Sequence, residues 1–434
     1  MANSYLSRTP SSAGNRQKWT WSAWVKFSQT PGAAGATLFS AYAHGNDNFN
    51  INLGDTNQIS MRFYNGTEYQ LVPNRRFRDF SAWYHLVFAV DTTLATAADR
   101  FKIYVNGVRE TSFSNEDQPT QNLQMTINDT TTMQIGRYST GSNFFDGYMS
   151  HVSLVDGQAL TPTSFGETDS TSGIWKFKSP SGLSWGTNGV HLKFENSGNL
   201  GLDSSGQTNN FTVNGDLKQS LDTPSNNHCI INPLHNKNGG TFSNGNTRYD
   251  GLSGSPYDAA SGGSLGFNKG KWYWEWKWGL TGSGNQAAFV GIIDSGIEMV
   301  QGGNPSKGVT YRPDAGSVRK DGSEVSSAYS GSENDIFGMA FDMDAGTLKL
   351  HKNGTYFNSG NAVVTGIDLT KTYLPYIGPN GGTTVSNIYM NWGNGYFGTT
   401  AITSAGSNGN GSLFEYDVPS GYYALNTKNL NTYG

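Results

Sequence analysis

The stretch KWYWEWKW, residues 271–278, sets Trp272, Trp274, Trp276 and Trp278 at every second position, with Lys271, Tyr273, Glu275 and Lys277 between them. A repeat of two is the period of a β-strand, whose successive side chains leave opposite faces of a sheet. Four indoles on one face are expected to be the inner wall of a sandwich, because each has a large apolar area to remove from water. A sugar-stacking platform is the competing use of such a stripe, and burial is the stronger demand.

The same pattern recurs outward from this strand. In WTWSAWVKF, Trp19, Trp21, Ala23, Val25 and Phe27 share one face. His85 to Val90 is continuously apolar, as expected of a strand covered on both sides. Phe101, Ile103 and Val105 alternate with Lys102 and Tyr104 and run into Asn106-Gly107, a pair suited to the positive φ angles of a type I′ hairpin turn. Thr347 to Lys352 runs into Asn353-Gly354 in the same way, and residues 149–155 form another candidate strand. Phe337, Met339, Phe341 and Met343 alternate as well. With no amphipathic helical period to set against these, the expected fold class is all-β: two antiparallel jelly-roll β-sandwich domains.

Composition agrees with a folded, turn-rich chain. Of 434 residues, 56 are Gly and 14 Pro, aromatics make up 13%, and charged residues only 14%, against about 25% in ordinary soluble domains. A net charge of −4 gives no electrostatic footprint for nucleic acid. No apolar run is long enough to span a membrane, and the N-terminus lacks the apolar region of a secretory signal. Cys229, the one cysteine, excludes an internal disulfide and suits assembly in a reducing cytosol. The length predicts two domains, 1–217 and 218–434, divided near the turn cluster Asp222-Thr223-Pro224-Ser225-Asn226-Asn227, with the glycine-rich residues 237–264 an early loop region of the second. Neither a tandem repeat nor a heptad segment is present.

The segments WTWSAWVK, AWYHLVFAVDTT, DRFKIYVNGVRE, MQIGRY and FFDGYMSHVSLVDGQALTPTSFGE resemble the laminin-G-like, concanavalin A-like module, in the version common in virion proteins of marine bacteriophages. KWYWEWKW, FVGIID, DIFGMAFDMDAGTLKLHKNGTYF and YLPYIG resemble the core strands of a SPRY domain. The resemblance implies curved sandwiches that mostly bind ligands rather than transform them. It implies a virion surface protein, tail fibre or tail-associated, that binds a host-surface glycan or receptor. A capsid decoration protein docked on the shell is the alternative, and a glycan-cleaving enzyme a minor one. Partners would be other virion proteins and further copies of the chain, and the location the virion, after synthesis in the host bacterial cytoplasm. Since Tyr5-Leu6 already reads as a strand, docking is expected to use a sandwich surface or a short end.

No catalytic residues are expected. Hydrolysis of a glycan needs paired carboxylates at a fixed separation. Asp342/Asp344 and Glu333/Asp335 are the pairs available, and Asp344-Ala345-Gly346 reads as a turn. The seven histidines form no zinc motif, and His228-Cys229 is adjacent without a base set across from it. Residues 302–308 lack the Gly-Lys-Ser/Thr ending of a phosphate loop. No metal or other cofactor is expected; Asp146, Asp156 and Asp203 are the oxygen donors a Ca²⁺ ion would use, and turn formation is their simpler role. Recognition is expected from loop aromatics: Tyr64, Tyr69, Tyr138, Phe144, Phe145, Tyr257 and Tyr329.

Overall fold

The computed structural model describes residues 3–251, 259–281, 287–300, 305–379 and 385–434, and every count or absence given is among these described residues. The chain forms two compact units, Met1–Gln219 and Ser220–Gly434. Each is a pair of sheets closed over its own apolar core.

In the first unit, a six-stranded sheet runs in the order Val190–Leu192, Gly147–Asp156, Lys18–Phe27, Tyr84–Asp91, Phe101–Val105, Val108–Arg109. Facing it is an eight-stranded sheet: Phe113–Glu116, Glu68–Pro73, Ile59–Tyr64, Asp47–Leu53, Ala36–His44, Met133–Ile135, Tyr5–Arg8, Thr212–Asn214. Trp19 and Trp21 cross the gap, meeting Phe49 at 5.2 Å and Phe39 at 5.8 Å. The strand Tyr84–Asp91 is buried along nearly its whole length because the other side of its sheet is covered too. Val87 and Val155 there pack against Phe165, with Leu160, Leu183 and Trp185 around them.

The Asn-Gly turns form as their chemistry requires. Asn106 and Gly107 have φ of 48° and 82°, and Asn353 and Gly354 of 48° and 80°. Each Asn side chain also secures the neighbouring strand, Asn106 Oδ1 accepting from His85 N and Asn353 Oδ1 from Ile336 N, both at 2.8 Å.

In the second unit, a seven-stranded sheet ordered Ile231–Lys237, Ala260–Gly263, Tyr373–Pro379, Ala288–Asp294, Gly308–Arg312, Ser317–Lys320, Ser323–Ser326 faces an eight-stranded one. Lys271–Thr281 lies inside the latter, between Val385–Asn391 and Ile336–Asp342. Trp272, Trp274, Trp276 and Trp278 all point into the core. Trp274 lies 5.0 Å from Phe341 and 5.5 Å from Trp392, and Trp276 lies 4.8 Å from Phe337. Burying each indole is worth about 4–6 kcal/mol before entropic costs.

Two expectations are corrected. Residues 237–264 are not simply loop: Thr241–Ser243, Arg248–Asp250 and Ala260–Gly263 are strands within them, anchored by buried Tyr249, whose ring stacks 4.5 Å from Phe242. Glycines fit there because Ala260–Gly263 lies under close neighbours; a Cβ on Gly263 would meet Pro375 Cγ at 2.7 Å. The described residues also include an α-helix, Thr427–Tyr433, although the sequence carries no helical period there. Asn426 caps it by accepting from Asn429 N at 2.9 Å, and two turns are too few for a helical period to register.

Candidate functional site

Alternation along the strands of the first unit sends Phe49, Ile51, Met61, Phe63 and Leu71 into the core and their neighbours to the opposite face of the eight-stranded sheet. Strand pairing lines those neighbours up. Ser7, Gln134, Ser40, Asn50, Arg62 and Gln70 lie opposite one another in one row across six strands. Tyr42, Asn48, Tyr64 and Glu68 form the next row.

Residues 136–146 then fold back over this face. Tyr138 N donates to Ser142 O at 3.0 Å, and Phe145 N to Gly136 O at 2.9 Å, closing the loop on itself. Ser40 Oγ ties it down by donating to Arg137 O at 2.9 Å. The Tyr138 ring meets Tyr42 edge-on at 6.2 Å, and its hydroxyl donates to Asn48 Oδ1 at 3.3 Å. Arg62 donates to the same Asn48 oxygen at 3.0 Å and pairs with Glu68 at 2.8 Å, below the ring of Tyr64. Arg137 lies 3.7 Å over the ring of Tyr5 and 5.8 Å from Phe144, with its Nε donating to Gln134 Oε1 at 2.9 Å.

The product is a patch of fixed amides ringed by aromatics. Asn48 and Asn50 are only 3% and 2% exposed, whereas Tyr5, Tyr42, Tyr64, Tyr138 and Phe144 are half-buried and keep part of each ring open. Burial raises the Tyr138 hydroxyl above its ordinary value, against the opposing pull of Arg62, so it remains a neutral donor. Rings that can take a C–H face, fixed by buried amides and standing beside a guanidinium group that can bond hydroxyls, are the chemistry of sugar recognition.

The seven aromatics expected to recognise ligand divide accordingly. Tyr64, Tyr138 and Phe144 come together on this face, Tyr64 from a strand end rather than a loop. Tyr69 is corrected: it is buried within Glu68–Pro73 and stacks on Phe63 at 6.4 Å, because alternation turns it inward. Phe145 packs on the core beside Phe27 at 6.1 Å. Tyr329 packs on the second core against Phe357 at 5.0 Å. Tyr257 lies outside the described residues. Sequence reading missed Tyr5, Tyr42, Asn48, Asn50, Arg62 and Arg137. The signal was present in NFNINL, where Asn48, Asn50 and Asn52 alternate with Phe49, Ile51 and Leu53, an amide face drawn in sequence.

The carboxylate pairs, Ser22–His85 and His228–Cys229 are each engaged in structural hydrogen bonds. Asp342 Oδ1 accepts from Asp344 N at 3.0 Å and Ala345 N at 2.9 Å, and Asp344 Oδ1 from Gly270 N at 3.0 Å: these are turn carboxylates. Glu333 accepts from Leu280 N, and Asp335 from Ser332 N and Asn353 Nδ2. Ser22 and His85 touch at 2.9 Å, but His85 Nδ1 accepts from Trp175 Nε1 at 3.0 Å. Burial lowers His85 to about 3, so the ring is neutral, its proton lies on Nε2, and it donates to the serine rather than activating it. His228 Nδ1 is 3.1 Å from Trp392 O, while Cys229 is buried with Sγ near Ile230 O.

Asp203 accepts from His191 N, Ser205 N, Ser205 Oγ and Asn209 N, and Asp156 from Asn15 N, Asn128 Nδ2 and Asn188 N. Carboxylates saturated by N–H and O–H donors do not fit a Ca²⁺ ligand set. Among the described residues no three His, Cys, Asp or Glu converge as a metal site.

The second unit holds one buried polar chain. Gly354 N donates to His351 Nδ1 at 3.2 Å, His351 Nε2 bonds Tyr273 Oη at 2.7 Å, and Tyr273 donates to Glu275 Oε1 at 3.0 Å. Glu275, with no exposed surface, also accepts from Glu415 N and Tyr416 N, each at 2.8 Å. Desolvation pushes its carboxyl up to about 7 despite those donors. This group pins residues 415–416 to the sheet, and Tyr273, Glu275 and His351 have no exposed surface.

These observations define an all-β protein of the concanavalin A-like, laminin G fold. Among known families, residues 2–164 match the one described as the concanavalin A-like lectin/glucanases superfamily. Solved structures similar to the chain include the SPRY domain of human HERC1, at 19% identity over 37% of this chain and 96% of that one (TM-score 0.32). The LG4-5 domains of the mouse laminin alpha1 chain match at 10% identity over 86% and 80% (TM-score 0.29). Domain 4 of AbnA, a GH43 extracellular arabinanase from Geobacillus stearothermophilus in complex with arabinotriose, matches at 21% identity over 36% and 68% (TM-score 0.27). No curated protein matches the sequence. No helix among the described residues is long and apolar enough to cross a membrane.

Proposed function

We propose that the chain is a non-enzymatic glycan-binding protein on the surface of a bacteriophage particle, made in the host bacterial cytoplasm and assembled in several copies with other virion proteins. The observation that carries the binding half is the patch of Asn48, Asn50, Arg62 and Arg137 ringed by Tyr5, Tyr42, Tyr64, Tyr138 and Phe144. The superfamily description over residues 2–164, which names lectins, is in keeping with it. The virion half rests on the sequence resemblance, above all in VDGQALTPTSFGE, residues 155–167.

Sugar faces would lie on the rings of Tyr138 and Tyr64, which Asn48 and Arg62 hold from behind, while the Tyr138 hydroxyl oxygen and Arg137 bond hydroxyls. A single site of this kind is weak, and attachment gains from many copies on one particle. The turn roles of Asp342 and Asp344 and the orientation of His85 support binding without turnover.

Antibody labelling of intact particles, joined to binding of the purified chain to host-surface polysaccharide, tests the reading. Label at the tail or shell surface with saturable glycan binding is expected. Binding to the major capsid protein at shell stoichiometry, with no glycan affinity, would assign the chain to decoration instead. Sugar release abolished by Asp342→Asn would make it an enzyme.

A further inference from the structure

We infer that the glycan taken by this face is acidic, and that Arg137 holds its carboxylate or sulfate group. The inference rests on the glycan-binding reading above and adds the class of ligand.

The two arginines of the patch are used differently. Arg62 is neutralised where it stands, by Glu68 at 2.8 Å, and spends a further nitrogen on Asn48. Arg137 makes no ion pair among the described residues, and its one side-chain hydrogen bond uses Nε, toward Gln134. Its two terminal nitrogens, the fork that matches a carboxylate or sulfate in two parallel bonds, are therefore unspent. The charge is nonetheless held in place. Tyr5 supports the guanidinium from 3.7 Å, Phe144 stands 5.8 Å away, and Tyr5 and Phe144 pack edge to face at 6.3 Å.

A cation fixed on a ring and lacking a counter-ion is a prepared anion site, since its ordering cost is met before the ligand arrives. Its neighbour in sequence, Tyr138, supplies ring and hydroxyl for the rest of the sugar, with Asn48 behind it. The patch itself carries Arg62, Glu68 and Arg137, a balance of one positive charge. An anionic residue in a chain of sugars would cancel it.

Calorimetry of the full chain with three oligosaccharides of equal length tests this: oligogalacturonate for carboxylate, a carrageenan fragment for sulfate, and a neutral galacto-oligosaccharide. At least one acidic ligand is expected to bind ten-fold or more tightly than the neutral one, with the advantage shrinking as NaCl rises from 0.05 to 0.5 M; which acid wins tells carboxylate from sulfate. Arg137→Gln is expected to bring the acidic ligands down to the neutral level, and Arg137→Lys to keep part of the advantage without the fork. Tyr138→Ala should weaken all three, and thermal melts establish that each variant is folded. Equal binding of acidic and neutral sugars that still depends on Tyr138 overturns this inference alone. An acidic preference unmoved by Arg137→Gln overturns it as well. Absence of binding to all three removes the glycan reading and this inference together.

Discussion

Glu275 shows why some residues are readable from sequence and others are not. Its neighbours Trp274 and Trp276 were legible as core because period-two spacing and side-chain size point the same way. Nothing near Glu275 announces a buried carboxylate, since its backbone donors, Glu415 and Tyr416, lie about 140 positions away in the chain. Glu275→Ala would leave those two N–H groups and the Tyr273 hydroxyl without their acceptor. A loss of about 3–5 kcal/mol is expected, measured by urea unfolding. Trp276→Ala should cost about 3–5 kcal/mol. Trp276→Phe should cost far less, because the Trp276 indole N–H is buried without an acceptor and its removal offsets part of the lost area. Asp344-Ala345-Gly346 before a strand is legible as a turn, and Asp342, at the end of the preceding strand, closes it by accepting from Asp344 N and Ala345 N. Tyr69 was misread because Asn65-Gly66 beside it marks a turn, while the register that buries it is set by pairing with Phe63.

Elements were more legible than sites. Asn106-Gly107 and Asn353-Gly354 fixed two hairpins by local stereochemistry alone. Gly107→Ala tests the first: its φ of 82° disfavours a side chain, and a Cβ would stand 2.6 Å from the Trp175 ring. A loss of about 2–4 kcal/mol is expected, read as a lowered Tm. The loop of residues 136–146 was legible only as aromatics beside a Gly-Ser turn. Its return over the sheet depends on Ser40, Asn48 and Tyr42, which are distant in sequence. Replacing residues 139–143 by a short Gly-Ser turn should reduce glycan binding at least ten-fold while Tm moves by only a few degrees, since Phe145 and its core contact remain. A loss of folding with the loop would show it to be scaffold.

At the scale of the whole chain, the two units should respond differently to acid. In the first, burial lowers His85 to about 3 and His151 and His191 to about 4, from 6.5. Each stays neutral in the fold and protonates when unfolded, so its stability contribution is present above pH 6.5 and lost as pH falls toward 4. In the second, His351, lowered to about 4, and His235, also lowered by burial, act in the same direction, but Glu275, raised from 4.5 to about 7, acts in the other. Its contribution is present below pH 4.5 and lost as pH rises through 7, so acidification across that window favours the fold. Hydrogen exchange of the full chain, corrected for intrinsic rates, should show the first unit losing on the order of 3 kcal/mol of protection between pH 7.5 and 5, and the second much less. Equal losses in both units would contradict the balance assigned to Glu275.

The measurement closest to the central claim is calorimetric titration of the full chain with fragments of host-surface polysaccharide, wild type against Tyr138→Ala and Asn48→Ala. The expected result is saturable binding with Kd on the order of 10⁻⁴ M, weakened at least ten-fold by either substitution in proteins that melt normally. Saturable binding indifferent to both substitutions, or no binding to any fragment, would contradict the assignment of this sheet face as the recognition surface.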